Sequence, residues 1–151
     1  MASKYDAILD QVVADIQGLA LDGITSSNIV KMKVSTERLV KDVAALPAIV
    51  VSPFGTKITN FLDGAIGSRD VWYPVAIFTL QISNQDQSTD IDRSLLWHES
   101  ILNKFEGVRL ESVTNAWAEV DPSETFDANA YFRGLDASGM IVRFMNREVR
   151  T

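Results

Sequence analysis

Apolar residues change their spacing several times along this chain, and each change predicts an element. From residue 3 to residue 20, Tyr5, Ile8, Leu9, Val12, Val13, Ile16 and Leu19 recur at three- and four-residue intervals, the stripe of a helix with one buried face. Ser3 is placed to cap that helix with Asp6 at its third position, and Gly18 or Gly23 marks its end. Lys31 to Val34 reads as a short strand. Ser35 to Leu46 reads either as a second short helix or as a polar connection, because Thr36, Glu37, Arg38, Lys41 and Asp42 interrupt any alternation. Pro47 then introduces the β-branched run Ala48 to Ser52, which Pro53-Phe54-Gly55 closes.

A long segment, 55 to 71, follows, punctuated by Gly55, Gly64 and Gly67 and charged at Lys57, Asp63, Arg69 and Asp70. Loops of that length inside a small domain are usually functional or mobile. Tyr73 to Ser83 predicts a central strand about 36 Å long at about 3.3 Å per residue. One face is apolar through Ala76, Phe78, Leu80 and Ile82; the other begins with Val75 and Ile77 and turns polar at Thr79, Gln81 and Ser83. Pro74 lacks a ladder donor, so it is expected at the start of the strand or at a bulge. After a polar turn from Asn84 to Thr89, the residues Ile91, Leu95, His98, Leu102 and Phe105 follow helical spacing up to Gly107, with Thr89 and Asp92 forming a capping box. Val113 to Val120 and Met140 to Val149 alternate as strands, separated by a loop with a helical turn around 127–132. The order α-β-β-β-α-β-β predicts a single α+β domain spanning 1–151.

Composition narrows the functions available. The chain has 151 residues, 46% hydrophobic and 23% charged, which suffices for one core. Its 14 Lys and Arg against 20 Asp and Glu give a net charge of -6, so no basic footprint exists for gripping phosphates. Without cysteine there are no disulfides, thiolate metal sites or thiol redox chemistry. No uncharged run reaches the roughly 18 residues of a membrane span, so the reading is a soluble, unexported product.

Catalytic groups are scarce. His98 is the one histidine, so any imidazole base must run through it, and its place on the second helix stripe beside Leu95 and Leu102 reads as packing at the core edge or at a subunit contact. There is no Gly-x-Ser-x-Gly elbow. Asn84, Asp86, Ser88, Asp90 and Asp92 imitate a calcium loop, but the position requiring Gly holds Thr89 or Ile91 and the bidentate Glu position holds Leu95 or Trp97. Gly64-Ala65-Ile66-Gly67 lacks the context of an RNA- or phosphate-binding loop, and Asp121 with Glu124 read as surface carboxylates. No catalytic, cofactor or metal residue is therefore assigned. Trp72, Tyr73, Trp97, Trp117, Tyr131 and Phe132 read as core and interface aromatics. Phe54 and Phe61, in the long segment, are the better candidates for a partner subunit.

Four passages carry a family resemblance. Pro47-Ala48-Ile49-Val50-Val51-Ser52-Pro53-Phe54-Gly55, Arg69-Asp70-Val71-Trp72-Tyr73-Pro74-Val75, Arg93-Ser94-Leu95-Leu96-Trp97-His98-Glu99 leading to Phe105, and Val142-Arg143-Phe144 together resemble the tail-completion or tail-terminator proteins of tailed bacteriophages. The resemblance covers most of the chain in element order. Ser35 to Leu46 has no counterpart, and the turn after the last helix does not align.

The resemblance implies a mixed, mostly antiparallel sheet with two main helices packed on it. It also implies a homo-oligomeric ring, usually a hexamer, that caps the tail tube and joins it to the head, with tail tube and neck or connector proteins as partners. DNA would pass through an acidic lumen without specific binding. The protein would sit in the virion, at the tail or the head-tail junction, after assembly in the host cytoplasm. The family has no catalytic residues or cofactor to carry over. Its inter-strand hairpin reaches toward neighbouring subunits, which selects Phe54, Lys57, Phe61, Arg69 and Trp72 as subunit-interface residues here. The alternatives are a neck or head-completion connector and, from another class, a small-molecule-binding domain or an enzyme using the cleft between helix and sheet.

Overall fold

A computed structural model describes residues 3–31, 46–54, 57–59, 68–82, 87–107, 110, 117–122 and 135–149. The first helix, α1 (Lys4–Gly18), forms on the stripe its sequence carries: Ile8, Leu9, Val12 and Ile16 are buried. Its first turn is capped by Ser3, whose Oγ accepts the Asp6 N–H at 3.1 Å. Beyond Gly18 the chain reverses through Ala20 (φ +49°) and Gly23 (φ +77°), the latter a left-handed conformation that glycine adopts without a Cβ clash.

A short 3₁₀ turn, Ser26–Asn28, leads into β1 (Ile29–Lys31), followed by β2 (Ala48–Pro53), β3 (Lys57–Thr59), β4 (Ser68–Ile82), α2 (Gln87–Phe105), β5 (Trp117–Pro122) and β6 (Leu135–Val149). The six strands form one sheet in the order β1-β2-β4-β6-β5, with β3 also paired to β4. Among the described strands, β1 and β2 alone run parallel. The remaining pairs are antiparallel, so the fold is α+β, as the element order predicts, and its sheet is mixed and mostly antiparallel, as the resemblance implies.

Several boundaries differ from the sequence reading. The central strand starts at Ser68 rather than Tyr73, and the last strand starts at Leu135 rather than Met140, because β4 and β6 pair along their whole length from Ser68↔Val149 to Ile82↔Leu135. A continuous ladder satisfies the backbone even where Arg69 and Asp70 break the apolar pattern. Segment 55–71 is therefore shorter as a connection: Lys57–Thr59 pairs as β3 against Trp72–Asp70. The first strand includes Ile29 and Val30 before Lys31, anchored by buried Ile29, and β5 continues past Val120 to Pro122; the remainders of the two expected strands, 32–34 and 113–116, lie outside the described residues. Helix α2 begins at Gln87, so Thr89 and Asp92 lie inside it instead of capping it. The readings of 35–45, of Gly64 to Gly67 and of the turn at 127–132 fall outside the described residues.

Pro74 sits within β4, paired with Arg143, and not at a strand start or bulge. Its carbonyl accepts the Phe54 N–H at 3.0 Å, on the β2 side of β4. A strand residue directs its N and O to the same neighbour, so the missing Pro74 N–H faces the interruption between β2 and β3. The β4–β6 ladder loses nothing.

Both described α-helices cover one face of the sheet. Their buried residues, Val12 and Ile16 of α1 with Trp97, Ile101 and Phe105 of α2, join Ile49, Val51, Val75, Ile77, Met140, Val142 and Phe144 in one cluster. Phe105 meets Phe144 edge-on at 6.0 Å and Tyr5 meets Tyr73 at 5.3 Å. The opposite face carries a smaller cluster of Val50 and Leu80 with Val30, Leu46 and Phe78 packed on it. Gly139 lies across from Phe78, and a Cβ there would come within 3.1 Å of the Phe78 ring. Glycine makes room for that ring.

Helix α2 is rotated from its expected setting. The stripe Ile91, Leu95, His98, Leu102, Phe105 holds at His98 and Phe105, but the core side is Ser94, Trp97, His98, Ile101 and Phe105, while Leu95 is 46% exposed. Three bulky apolar residues in a row, Leu95-Leu96-Trp97, span about 200° of a helix with about 3.6 residues per turn. They cannot all face the sheet. The indole buries the largest apolar surface and finds a partner for its N–H, donating from Nε1 to the Asp22 carbonyl at 3.1 Å.

Candidate interaction surface

The polar half of the helix-covered sheet face holds the chemistry that the sequence offers. Thr79 and Ser138 are opposite one another on β4 and β6, their hydroxyl oxygens 2.5 Å apart. Ser138 Oγ lies 2.7 Å from His98 Nε2, and Gln81 Nε2 donates to Ser94 Oγ at 3.0 Å. All five side chains are buried. A serine hydroxyl beside an imidazole is the start of a nucleophile-base pair, but this one lies beneath α2, where its hydroxyl satisfies neighbours in the core. It fills the place where apolar packing ends. Among the described residues no group of three or more His, Asp or Glu is arranged to hold a metal ion, and no helix is long and apolar enough to cross a membrane.

Charged groups cluster around the N-terminal half of α1. Lys31 Nζ on β1 donates to Asp10 at 2.5 Å and to Asp6 at 3.0 Å, and these carboxylates hold the Lys31 pKa above its ordinary value, Asp10 contributing most. Lys4 Nζ and Tyr73 Oη both donate to Glu148, at 3.1 and 2.6 Å. The Tyr5 hydroxyl donates to the Pro74 carbonyl and accepts the Phe54 N–H at 3.1 Å. Burial raises the Tyr5 pKa, against the opposing pull of the Phe54 hydrogen bond. These contacts lock the end of β2 to the start of α1.

Of the residues singled out from the sequence, Phe54, Lys57, Arg69 and Trp72 have a described backbone place, at the end of β2, on β3 and on the first half of β4. Phe54 sits at the β2 end, 58% exposed. Lys57 on β3 pairs in register with Trp72 on β4, which is half-buried, and Arg69 pairs with Glu148 of β6. The side chains of Lys57 and Arg69, and Phe61 altogether, lie outside the described residues. Of the aromatics, Tyr73 and Trp97 are buried, whereas Tyr131, Phe132 and the Trp117 side chain, like Asp121 and Glu124 as side chains, are also outside the described set.

The sequence reading missed a second exposed region. An open groove of about 380 Å³ lies between the turn after α1 and the first half of α2, lined by Leu19, Leu21, Asp22, Asp92, Arg93, Leu96 and Trp97 among others. Trp97 closes its floor and Leu96, 62% exposed, forms one wall. The Arg93 guanidinium lies over the Trp97 ring, 5.9 Å from its centroid, and passes Gly23, where a Cβ would meet it at 3.4 Å. The signal was present: a Leu-Leu-Trp triplet on one helix must leave an apolar residue outside.

No known protein-family profile matches the chain, and no curated protein matches it by sequence. Among solved structures, the chain is similar to a protein chain in the virion of native gene transfer agent (GTA) particle, at a TM-score of 0.51 and 11% identity, over 97% of this chain and 100% of that one. At that identity the likeness is one of fold, extending from end to end.

Proposed function

We propose that this chain is a non-enzymatic virion structural protein, a tail terminator that assembles as a ring, caps the tail tube and joins it to the neck. The observation that carries the reading is the end-to-end fold correspondence with a chain of a gene transfer agent virion. The four sequence passages that resemble tail-completion proteins support it independently. The composition agrees: an acidic chain has no electrostatic grip on DNA, which a conduit for DNA requires. The ring is most simply a hexamer, because a cap on a rotationally symmetric tube repeats identical contacts only if it matches the tube's symmetry. Phe54, Lys57, Phe61, Arg69 and Trp72 form the subunit contact in this reading, and the partners are the tail tube and the neck protein.

Deletion of the gene from a particle-producing strain, with electron microscopy of the products, tests this. The expected products are separate heads and overlong or uncapped tails. Normal-length, DNA-filled particles would refute the role, and full tails that fail only at the head side would move the protein to the neck.

A further inference from the structure

Among the described residues three large apolar side chains are exposed, Phe54, Leu95 and Leu96, and they fall at two places. The Phe54 backbone is bonded to Tyr5 in the first turn of α1, whereas the Leu96 groove is bordered by Leu19 and Leu21, just past the last turn. Fourteen residues of helix separate Tyr5 from Leu19, about 20 Å at about 1.5 Å per residue. One copy cannot bring its own Phe54 to its own groove. We propose that Phe54 of one copy seats in the Leu96–Trp97 groove of the next, a head-to-tail contact that rests on the reading of the chain as a ring subunit and supplies its interface.

Size and charge fit that occupant. An engineered cavity of about 150 Å³ accepts benzene, so an open groove of about 380 Å³ accepts a phenyl ring with room for flanking backbone. Leu96 gives the groove an exposed apolar wall, and the Arg93 guanidinium that overlies the buried Trp97 indole is placed to take an aromatic guest as a second cation–π partner. The carboxylates of Asp22 and Asp92 outnumber the Arg93 cation on the lining. The incoming stretch Pro53 to Lys57 carries one charge, that of Lys57. A guest stretch whose single charge is positive suits a lining in which carboxylates are in excess. Because donor and acceptor patches differ, the contact is heterologous: it closes into a ring when the rotation between copies divides a full turn, and otherwise runs on as a filament.

The test uses this asymmetry. Phe54→Glu destroys the guest and keeps the groove; Leu96→Glu does the reverse. Both positions are exposed, so circular dichroism and thermal melting should match the parent. Each variant alone should stay monomeric in sedimentation velocity at concentrations where the parent assembles, its association weakened at least about 30-fold, the ratio for a central contact worth about 2 kcal/mol. An equimolar mixture should give one-to-one heterodimers and nothing larger, since only one productive interface remains.

For assembly confined to high concentration or to tail tubes, p-benzoylphenylalanine replacing Phe54 is photolysed under those conditions and the cross-link is mapped by mass spectrometry. Cross-links to Leu19–Asp22 or to Leu96–Ser100 of another copy are expected. Cross-links elsewhere or none, single variants that assemble like the parent, or a mixture without heterodimer would each overturn the proposal. Failure of the tail-terminator role is read separately, from particle morphology: a protein that cross-links through this groove yet is dispensable for tails keeps the interface and loses the role.

Discussion

Replacing Ile101 and Leu95 separately by alanine measures which side of α2 faces the sheet. Ile101 is fully buried in the cluster with Phe105 and Phe144, whereas Leu95 is 46% exposed. Removing the Ile101 side chain forfeits transfer free energy and leaves a void between helix and sheet, together about 2 to 5 kcal/mol. The better helix propensity of alanine returns at most a few tenths. For a chain of this size, about 2 to 4 °C of melting temperature accompanies each kcal/mol, so Ile101→Ala should lower the midpoint by about 4 to 20 °C. Leu95 has roughly half of its surface in water already, so Leu95→Ala should cost less than about 1 kcal/mol. Urea titrations followed by far-UV circular dichroism and by indole emission, with the buried Trp97 among the reporters, give both values on monomeric protein. Equal losses at the two positions, or a larger one at Leu95, would mean that the helix faces the sheet with the Leu95–Leu102 stripe and that the orientation described above is wrong.

Two further outcomes follow from the polar contacts. Ser138→Ala withdraws a buried hydroxyl from both Thr79 and His98, and the desolvated groups left behind should cost about 1 to 3 kcal/mol in urea unfolding; a neutral result would show that water or a neighbour replaces the hydroxyl. Tyr5 has a pKa raised by burial, so in the fold it holds its proton above the unfolded value of about 10. The stability it contributes is complete below that pH and lost as pH rises through the folded value. Lys31, raised by Asp10 and Asp6, acts in the same direction. Tyr5→Phe should therefore flatten, without abolishing, the fall of the urea midpoint above about pH 10, and an unchanged slope would remove Tyr5 from the alkaline transition.

What the sequence determined by itself was everything governed by local period. The α1 stripe, its Ser3 cap and the β-branched run of β2 are set by neighbours three, four or two residues away, and that information is complete in a single segment. The order of elements, and with it the α+β class, follows from the succession of such segments. Tertiary structure decided the rest, because the deciding partner is distant in the chain. Ser68 to Asp70 belong to a strand only because Arg147 to Val149 lie opposite them. Pro74 is tolerated mid-strand only because β2 and β3 break beside it. The face of β4 that turns polar at Thr79 and Gln81 is the one that the helices cover, since Ser138, His98 and Ser94 satisfy its hydroxyl and amide there. Period alone could not choose which of Leu95, Leu96 and Trp97 to bury. The Asp22 carbonyl, 75 residues from Trp97, completes the site that takes the indole and leaves both leucines outside.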